Sequence, residues 1–527
     1  MLSAVFHDTI FYMENIIDLT KKLAEKDARI AELEALVKYY EELFRLSKSR
    51  QFEPQSEKKG YFQYTVFGDE ENEPDEDEPE PEKVVYIRRK KKTGKRKDDL
   101  SRLPVEVVEH EIPQEERVCP ECGGEMHVMG HDTRREIKII PAQAKVIEHK
   151  RAVYSCRDCE KNNDNVPIVK ADMPAPLINN SVASASAVAY AMYQKYIMHA
   201  PLYRQEKSWE WQGVVLSRQT LANWIICCAF TILMPLYTRL KELLLANEVL
   251  HADESTLQVL REPGKSAVSK SYMWLYRTSC FIKQHIIFYE YQPSRSHKHP
   301  KEFLGGFTGF LHADGLPAYH KLIHMTIVGC WVHCRRKFID ALKTIPKAER
   351  DGSVAQEAIQ RIGQLFHMED QWADLSAEER YRLRLEKSKP KAEKFFIWLE
   401  SQNVLPKTAT GRAIHYALSQ RKWLMNVYLD GRTELSNNRI ENSVRPYAQG
   451  RRNWLFCNTV DGAKASAIIF TIMETAKANG LKPFEYMEFL LGVSPAEIAK
   501  ATDLLLPWGE KVPEECRVLS IGSAKDA

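Results

Sequence analysis

Residues 249–260, VLHADESTLQVL, alternate apolar and polar side chains around Asp253 and read as a strand that ends near that acid. MWLYRTS at 273–279 and HIIFYEY at 285–291 are two more strand-like runs. After a short helical segment, GFLHADGLPAYHKL at 309–322 is again a strand running into an acid, Asp314, with a glycine behind it. MTIVGCW at 325–331 is a further strand and leads into the basic helix HCRRKFIDALK at 333–343. The phrase His-Ala-Asp occurs at both 251–253 and 312–314, and its His and Ala are expected to carry no function of their own.

Three strands, a helix, a strand, a helix and a strand is the order of an RNase H-like (retroviral integrase-like) sheet. In that fold acids at two strand ends lie side by side, and a third arrives on a later helix. The third is expected in DGRTELSNNRIENSVRPYAQGRRNWLF, residues 430–456, where Glu441 stands among Asn437, Asn438, Arg445, Arg451 and Arg452. Positions 437, 441 and 445 are four apart, so a helix puts them on one face. Pro446 is expected to stop or kink that helix just after Arg445, leaving Arg451 and Arg452 free on the next turn. Such an acid also suits a plain surface ion pair with arginine. Two strand-end aspartates upstream favour the other reading. Phosphodiester cleavage uses paired divalent cations about 4 Å apart, one at the nucleophile and one at the leaving oxygen. Carboxylates suit magnesium or manganese, two ions per site.

The 527-residue chain has room for several domains, and its net charge of +3 places any anionic partner at local patches. The longest apolar run, 225–237, is too short for a membrane span and contains Pro235, and the N-terminus lacks a secretory pattern, so a cytoplasmic protein is expected. Residues 1–50 carry Ile16, Leu19, Leu23, Lys26, Ile30, Leu33, Val37, Tyr40 and Phe44 at alternating steps of three and four. That stripe reads as a coiled coil or as an amphipathic helix on its own core, and its narrowness favours self-association. Residues 51–101 form an acid-and-proline block followed by RRKKKTGKRK, a charged linker unable to bury a core.

Within 102–173, Cys119-Pro-Glu-Cys122 and Cys156-Arg-Asp-Cys159 supply four thiolates for one structural zinc ion. Residues 174–247 read as helical. A glycine turn at Gly213 and a capping Ser217 resemble a helix-turn-helix, or an ordinary helical pair, with Arg218, Gln219 and Asn223 as candidate DNA contacts. The catalytic core is expected at 248–340 and 431–460, split by a helical insertion at 341–430. Trp372, Trp398 and Trp423 of that insertion read as core residues or as contacts to a flipped base. A C-terminal helical region covers 461–527.

Over most of its length the chain resembles the bacterial transposases of the insertion sequence 66 family. The resemblance lies in PLYRQEKSWEWQG, LANW, HADES, HADGLPAY, GCWVHCRRKF, NNRIENSVRPYAQGRRNWLF and ETAKANGLKPFEYM, the last three being long and specific. It implies a DDE transposase with its acids on Asp253, Asp314 and Glu441, and a His-x-x-Arg element on His333 and Arg336. Ser436 stands where an Asp often precedes the Asn pair, and Asn442 where an Arg commonly follows the Glu. Expected partners are double-stranded DNA, a second copy of the chain and small accessory proteins. The rival readings are a junction resolvase of the same fold and an inactive DNA-binding relic.

Overall fold

The computed structural model describes residues 142–155 and 168–518, with the single positions Leu23, Lys26, Arg29, Ile30, Leu33, Val37, Tyr40, Glu41, Phe44 and Val107. Cys119, Cys122, Cys156, Cys159 and the charged linker lie outside the described residues. Two compact units divide the chain, 1–55 with 144–527 and 56–143, and the architecture below is that of the first. Leu23, Lys26, Ile30, Leu33, Val37, Tyr40 and Phe44, all positions of the stripe, are helical and exposed.

A short antiparallel pair, β1 (Val153–Ser155) and β2 (Ile168–Lys170), precedes a run of helices. These are α1 (Ala185–Tyr196), α2 (Leu202–Trp211), α3 (Arg218–Cys228) and α4 (Met234–Leu245). Gly213, at φ 84°, makes the turn between α2 and α3, and the Ser217 hydroxyl caps α3 by accepting the Thr220 N–H at 3.1 Å. A π-helical turn at Ala229–Leu233 joins α3 to α4, and the helical run continues through Pro235 in the first turn of α4. The helix that carries the apolar run is therefore longer than expected: Arg218–Leu245 has the length and composition to cross a membrane. It packs on α1 and on a C-terminal helix within the protein core.

The central sheet has the spatial order β5-β4-β3-β6-β7. β3 (Val249–Arg261), β4 (Lys270–Thr278) and β5 (Ile287–Gln292) form an antiparallel meander. α5 (Lys298–Phe303) and α6 (Pro317–His320) then supply the crossovers that make β6 (Phe310–Ala313) and β7 (Thr326–Gly329) parallel to β3. β3 is longer than expected. Asp253 lies within it, and what ends near the acid is the pairing with β6, whose last partner is His251. The rest of β3 continues along β4, and its far end pairs with β8 (Cys457–Thr459) through Val259 and Arg261.

α7 (Trp331–Thr344) follows β7, then α8 (Val354–Gln371), α9 (Ala377–Leu383), α10 (Lys389–Glu400) and α11 (Ala409–Met425). These helices have their own core, built on Trp331, Phe338, Ile362, Phe395, Phe396 and Leu424. Trp372 is buried, Arg361 lies 4.6 Å from the Trp398 ring, and Trp423 stacks on His320 at 3.5 Å, which places all three within protein contacts. α12 (Asn438–Trp454) returns to the sheet and packs across β3 and β4. Pro446 does not end it. The helix continues to Trp454, held to the sheet by Arg277, which donates to the Ser443 hydroxyl at 2.8 Å, and by Tyr289, which donates to the Ser443 carbonyl at 2.6 Å.

The segment beyond 460 belongs to the main core. α13 (Val460–Ala478) is almost wholly buried and lies along β5. Thr471 Oγ1 accepts the Tyr289 N–H at 2.9 Å, and Thr475 Oγ1 accepts the Ile287 N–H at 3.1 Å while donating to the Ile287 carbonyl at 3.1 Å. Helix side chains thus satisfy the outer edge of β5 and close it to further pairing. α14 (Pro483–Gly492), α15 (Pro495–Lys500) and α16 (Thr502–Leu505) complete the same core with α1 and α4.

Candidate active site

Parallel pairing of β3 with β6 sets His251 opposite His312 in register. Two residues further along each chain come Asp253 and Asp314, on the same face as those histidines because strand side chains alternate. The repeated His-Ala-Asp is thus one register feature written twice. The two imidazoles stack with centroids 4.4 Å apart, fully buried. His251 Nε2 lies 3.2 Å from Glu434 Oε1, and His312 Nε2 accepts the Glu434 N–H at 3.1 Å. Burial opposes ionisation of Glu434, yet His251 and Arg439 outweigh it and hold its carboxyl below the ordinary range. Burial holds His312 far below the usual imidazole range, so it stays neutral.

Asn437 joins this layer to α12. It is not on the helix face expected for it. It occupies the N-cap position, buried, with its side chain turned to β3: Oδ1 meets His251 Nδ1 at 2.9 Å and Nδ2 donates to the Ala252 carbonyl at 3.0 Å. Its backbone N–H donates to Cys330 Sγ at 3.2 Å. The start of α12 is therefore fixed to the strand that carries Asp253 and to the junction of β7 and α7. Glu441 sits in the first helical turn, where an acid also meets the positive end of the helix dipole. Its carboxylate faces α7, with His333 Nε2 3.5 Å from Oε1 and an Arg336 Nη2 3.7 Å from Oε2. Glu441 Oε1 and His333 Nδ1 are buried without a hydrogen-bond partner.

Asp314 and Glu441 lie close enough to Asp253 for their charges to act on it. Burial raises the Asp253 carboxyl well above its ordinary value, and the charges of Glu254, Asp314 and Glu441 push the same way. One Asp253 oxygen accepts the Glu254 N–H at 2.8 Å, and one Asp314 oxygen accepts the Leu316 N–H at 3.0 Å. The ring of Tyr416 on α11 packs closely on Gly315 behind Asp314: a Cβ there would lie 2.7 Å from its hydroxyl, so the tyrosine would have to shift. A fourth carboxylate, Glu254, escaped the sequence reading although it adjoins Asp253. It is paired with Arg295, whose Nε donates at 2.8 Å, and accepts the Tyr319 hydroxyl at 2.8 Å. Burial and the charge of Asp314 raise it, against the pull of Arg295.

His333 and Arg336 lie beside Glu441, and Arg445 and Arg452 project from α12 into solvent. Arg451 is not free as expected: with the helix unbroken, its guanidinium bonds to the Thr256 carbonyl and hydroxyl on β3. Arg218, Gln219 and Asn223 form an exposed face of α3, apart from the acids in sequence, with Gln219 donating to Asn223 at 2.9 Å. Sequence reasoning also missed Arg384, which is fully buried. It makes a two-pronged pair with Glu369 at 2.7 Å on each side and donates to the Asp430 and Thr433 carbonyls at 3.0 and 2.8 Å.

Comparison with known proteins bears on this arrangement. The model described as Transposase IS66 family matches residues 180–465, more than half of the chain and all three acids. The chain belongs to the IS66 transposase family. The zinc-finger binding domain of transposase IS66 matches residues 116–160, a stretch that includes both cysteine pairs. Three proteins of Sinorhizobium fredii (strain NBRC 101917 / NGR234) are similar along most of their length. "Uncharacterized protein y4qI" is 31% identical over 77% of this chain and 75% of its own. "Uncharacterized protein y4hP" is 29% identical over 78% and 75%, and "Uncharacterized protein y4jD" 28% over 76% and 80%. Membership makes the protein a transposase, an enzyme that acts on nucleic acid, with a zinc-finger domain ahead of its main body.

Proposed function

We propose that this IS66-family member is a DDE transposase whose catalytic acids are Asp253, Asp314 and Glu441, set on an RNase H-like sheet. What supports the reading is that acids from β3, the end of β6 and the first turn of α12 lie near enough for the charges of Asp314 and Glu441 to act on Asp253. Two features fit a hard divalent cation: the unpartnered, buried Oε1 of Glu441, and the burial and neighbouring negative charges that raise Asp253. Magnesium or manganese, two ions held by these residues, would supply a polarised nucleophile and a stabilised leaving oxygen. The chain's own groups do the rest. His333 and Arg336 line the approach to Glu441 and meet a phosphate of the bound strand. Arg445 and Arg452 hold its flanking phosphates through guanidinium forks. The buried His251, His312 and Asn437, with the half-buried Glu434, keep α12 at a fixed distance from β3.

The reaction is cleavage at the ends of an insertion sequence to leave 3′ hydroxyls, followed by their joining to target DNA. The α2–α3 pair, with Arg218, Gln219 and Asn223 outward, and the zinc segment with Cys119, Cys122, Cys156 and Cys159 as ligands bind the terminal repeats. Two ends are cut in concert, which suits a homodimer held by the coiled coil of residues 1–50, whose exposed helical stripe supports that role. Work takes place in the bacterial cytoplasm, aided by small accessory proteins of the same element. End-sequence DNA, a target plasmid and magnesium, with those accessory proteins supplied, test the reading. Joined products with free 3′ hydroxyls are expected. Cutting of branched DNA without joining would point to a resolvase, and binding without cutting to a relic.

A further inference from the structure

At the start of α7 and α12 lies a donor set that a hard cation does not need. Cys330 Sγ, a His333 ring nitrogen and a Glu441 carboxylate oxygen all lie within 4.8 Å of one another. His333 Nε2 and Glu441 Oε1 are 3.5 Å apart, close to the separation of neighbouring ligands around an ion with bonds of about 2.0–2.1 Å. Glu441 Oε1 and His333 Nδ1 have no hydrogen-bond partner, although both are buried. Magnesium and manganese select oxygen, whereas a thiol, an imidazole and a carboxylate together select zinc and its neighbours, with a fourth position for water. The backbone already defines the site, since Cys330 Sγ accepts the N–H of Asn437, the residue that starts the Glu441 helix.

We infer that Cys330, His333 and Glu441 form a second site for a thiophilic divalent cation such as zinc, and that an ion held there withdraws Glu441 from the catalytic acids. Formation of the sulfur–metal bond displaces the thiol proton to solvent. Binding stands on the geometry alone, while its inhibitory effect rests on the reading of Glu441 as a catalytic acid. Zinc would therefore act on this chain in two ways, supporting the cysteine-rich segment and shutting the active site.

The test uses full-length protein whose cysteine-rich segment is first filled with one equivalent of zinc. Cobalt(II) is then titrated in an excess of magnesium, read by the thiolate-to-cobalt charge-transfer band and by elemental analysis. Wild type is expected to take one ion more than Cys330→Ser, with the additional band absent from that variant. In parallel, zinc should inhibit joining at least about tenfold less in Cys330→Ser than in wild type, each normalised to its own rate in magnesium, since losing even an outer-shell partner of a metal costs about that much affinity. His333→Gln, which removes another of the three ligands, serves the same comparison should Cys330→Ser fail to fold. Equal ion counts and equal spectra in wild type and either variant would overturn the site. Loss of the ion with unchanged zinc inhibition would overturn its regulatory role. The cobalt signal does not depend on any DNA reaction, so it stands or falls separately from the transposase mechanism.

Discussion

Ionisation of Asp253 is unfavourable in the metal-free protein. Burial and three neighbouring carboxylates raise it well above its ordinary value, so the folded state holds a proton that the unfolded chain releases. Its contribution to stability is therefore present below the unfolded carboxyl range and is lost as pH rises through the folded one. Asp253→Asn is expected to raise the melting temperature of metal-free protein at neutral pH. Magnesium should stabilise wild type and leave the variant nearly unmoved, as differential scanning calorimetry would record. A variant no more stable than wild type without metal would contradict the crowding of acids. At this scale the sequence was informative about identity and weak about partners. Asp253, Asp314 and Glu441 stand out in the sequence because strand order and acid order agree. Glu254 and Glu434 were not, since an acid beside another acid, or one in a loop, looks the same whether it is solvated or buried. The paired histidines were visible as a repeated phrase, but only strand register turns the repeat into a contact.

Among the elements, α12 departs most from expectation. A proline inside a helix removes one hydrogen bond and crowds the preceding turn. The sequence alone could not weigh that against Arg277 and Tyr289, which fasten Ser443 to the sheet. Pro446→Ala should raise stability by about 2–3 kcal/mol, the propensity difference of ~3 kcal/mol being offset by up to ~1 kcal/mol through the greater freedom of the unfolded chain. Chemical denaturation measures it, and a loss of stability would mean that the proline shapes the helix rather than being tolerated. β5 offers a second test. Burial raises the Glu290 carboxyl to about 7, and its Oε2 has no hydrogen-bond partner. Because the folded value lies above the unfolded one, its contribution is complete below the ordinary carboxyl range and disappears as pH rises through about 7. Glu290→Gln should flatten the fall in stability over that window. An unchanged pH profile would contradict the burial of the acid.

In the whole molecule, two cores meet beside the acids, one around the sheet and one in the insertion. Arg384 joins the insertion to the approach of α12: it pairs with Glu369 of α8 and binds the Asp430 and Thr433 carbonyls a few residues before Glu441. Arg384→Ala strands a half-buried carboxylate and several carbonyls, and should cost roughly 3–5 kcal/mol. A cost below 1 kcal/mol, roughly that of an exposed pair, measured by urea unfolding, would remove the insertion from any role in placing the site. The insertion could be recognised from sequence as helical and too long for a loop. Its attachment could not, because a lone arginine in an Arg- and Lys-rich helix gives no sign of being fully buried. The zipper and the cysteine pairs were legible as patterns and belong to segments outside the described residues or sparsely within them.

The central claim is that Asp253, Asp314 and Glu441 act together in one metal-dependent reaction. Single-turnover cleavage of end-sequence DNA in magnesium, with Asp253→Asn, Asp314→Asn and Glu441→Gln compared at equal folded concentration, tests it most directly. Each variant is expected to lose at least about a hundredfold in rate while still binding DNA, the order lost when one preorganised charge-stabilising group is removed. Any one of the three cleaving at close to the wild-type rate would contradict the account.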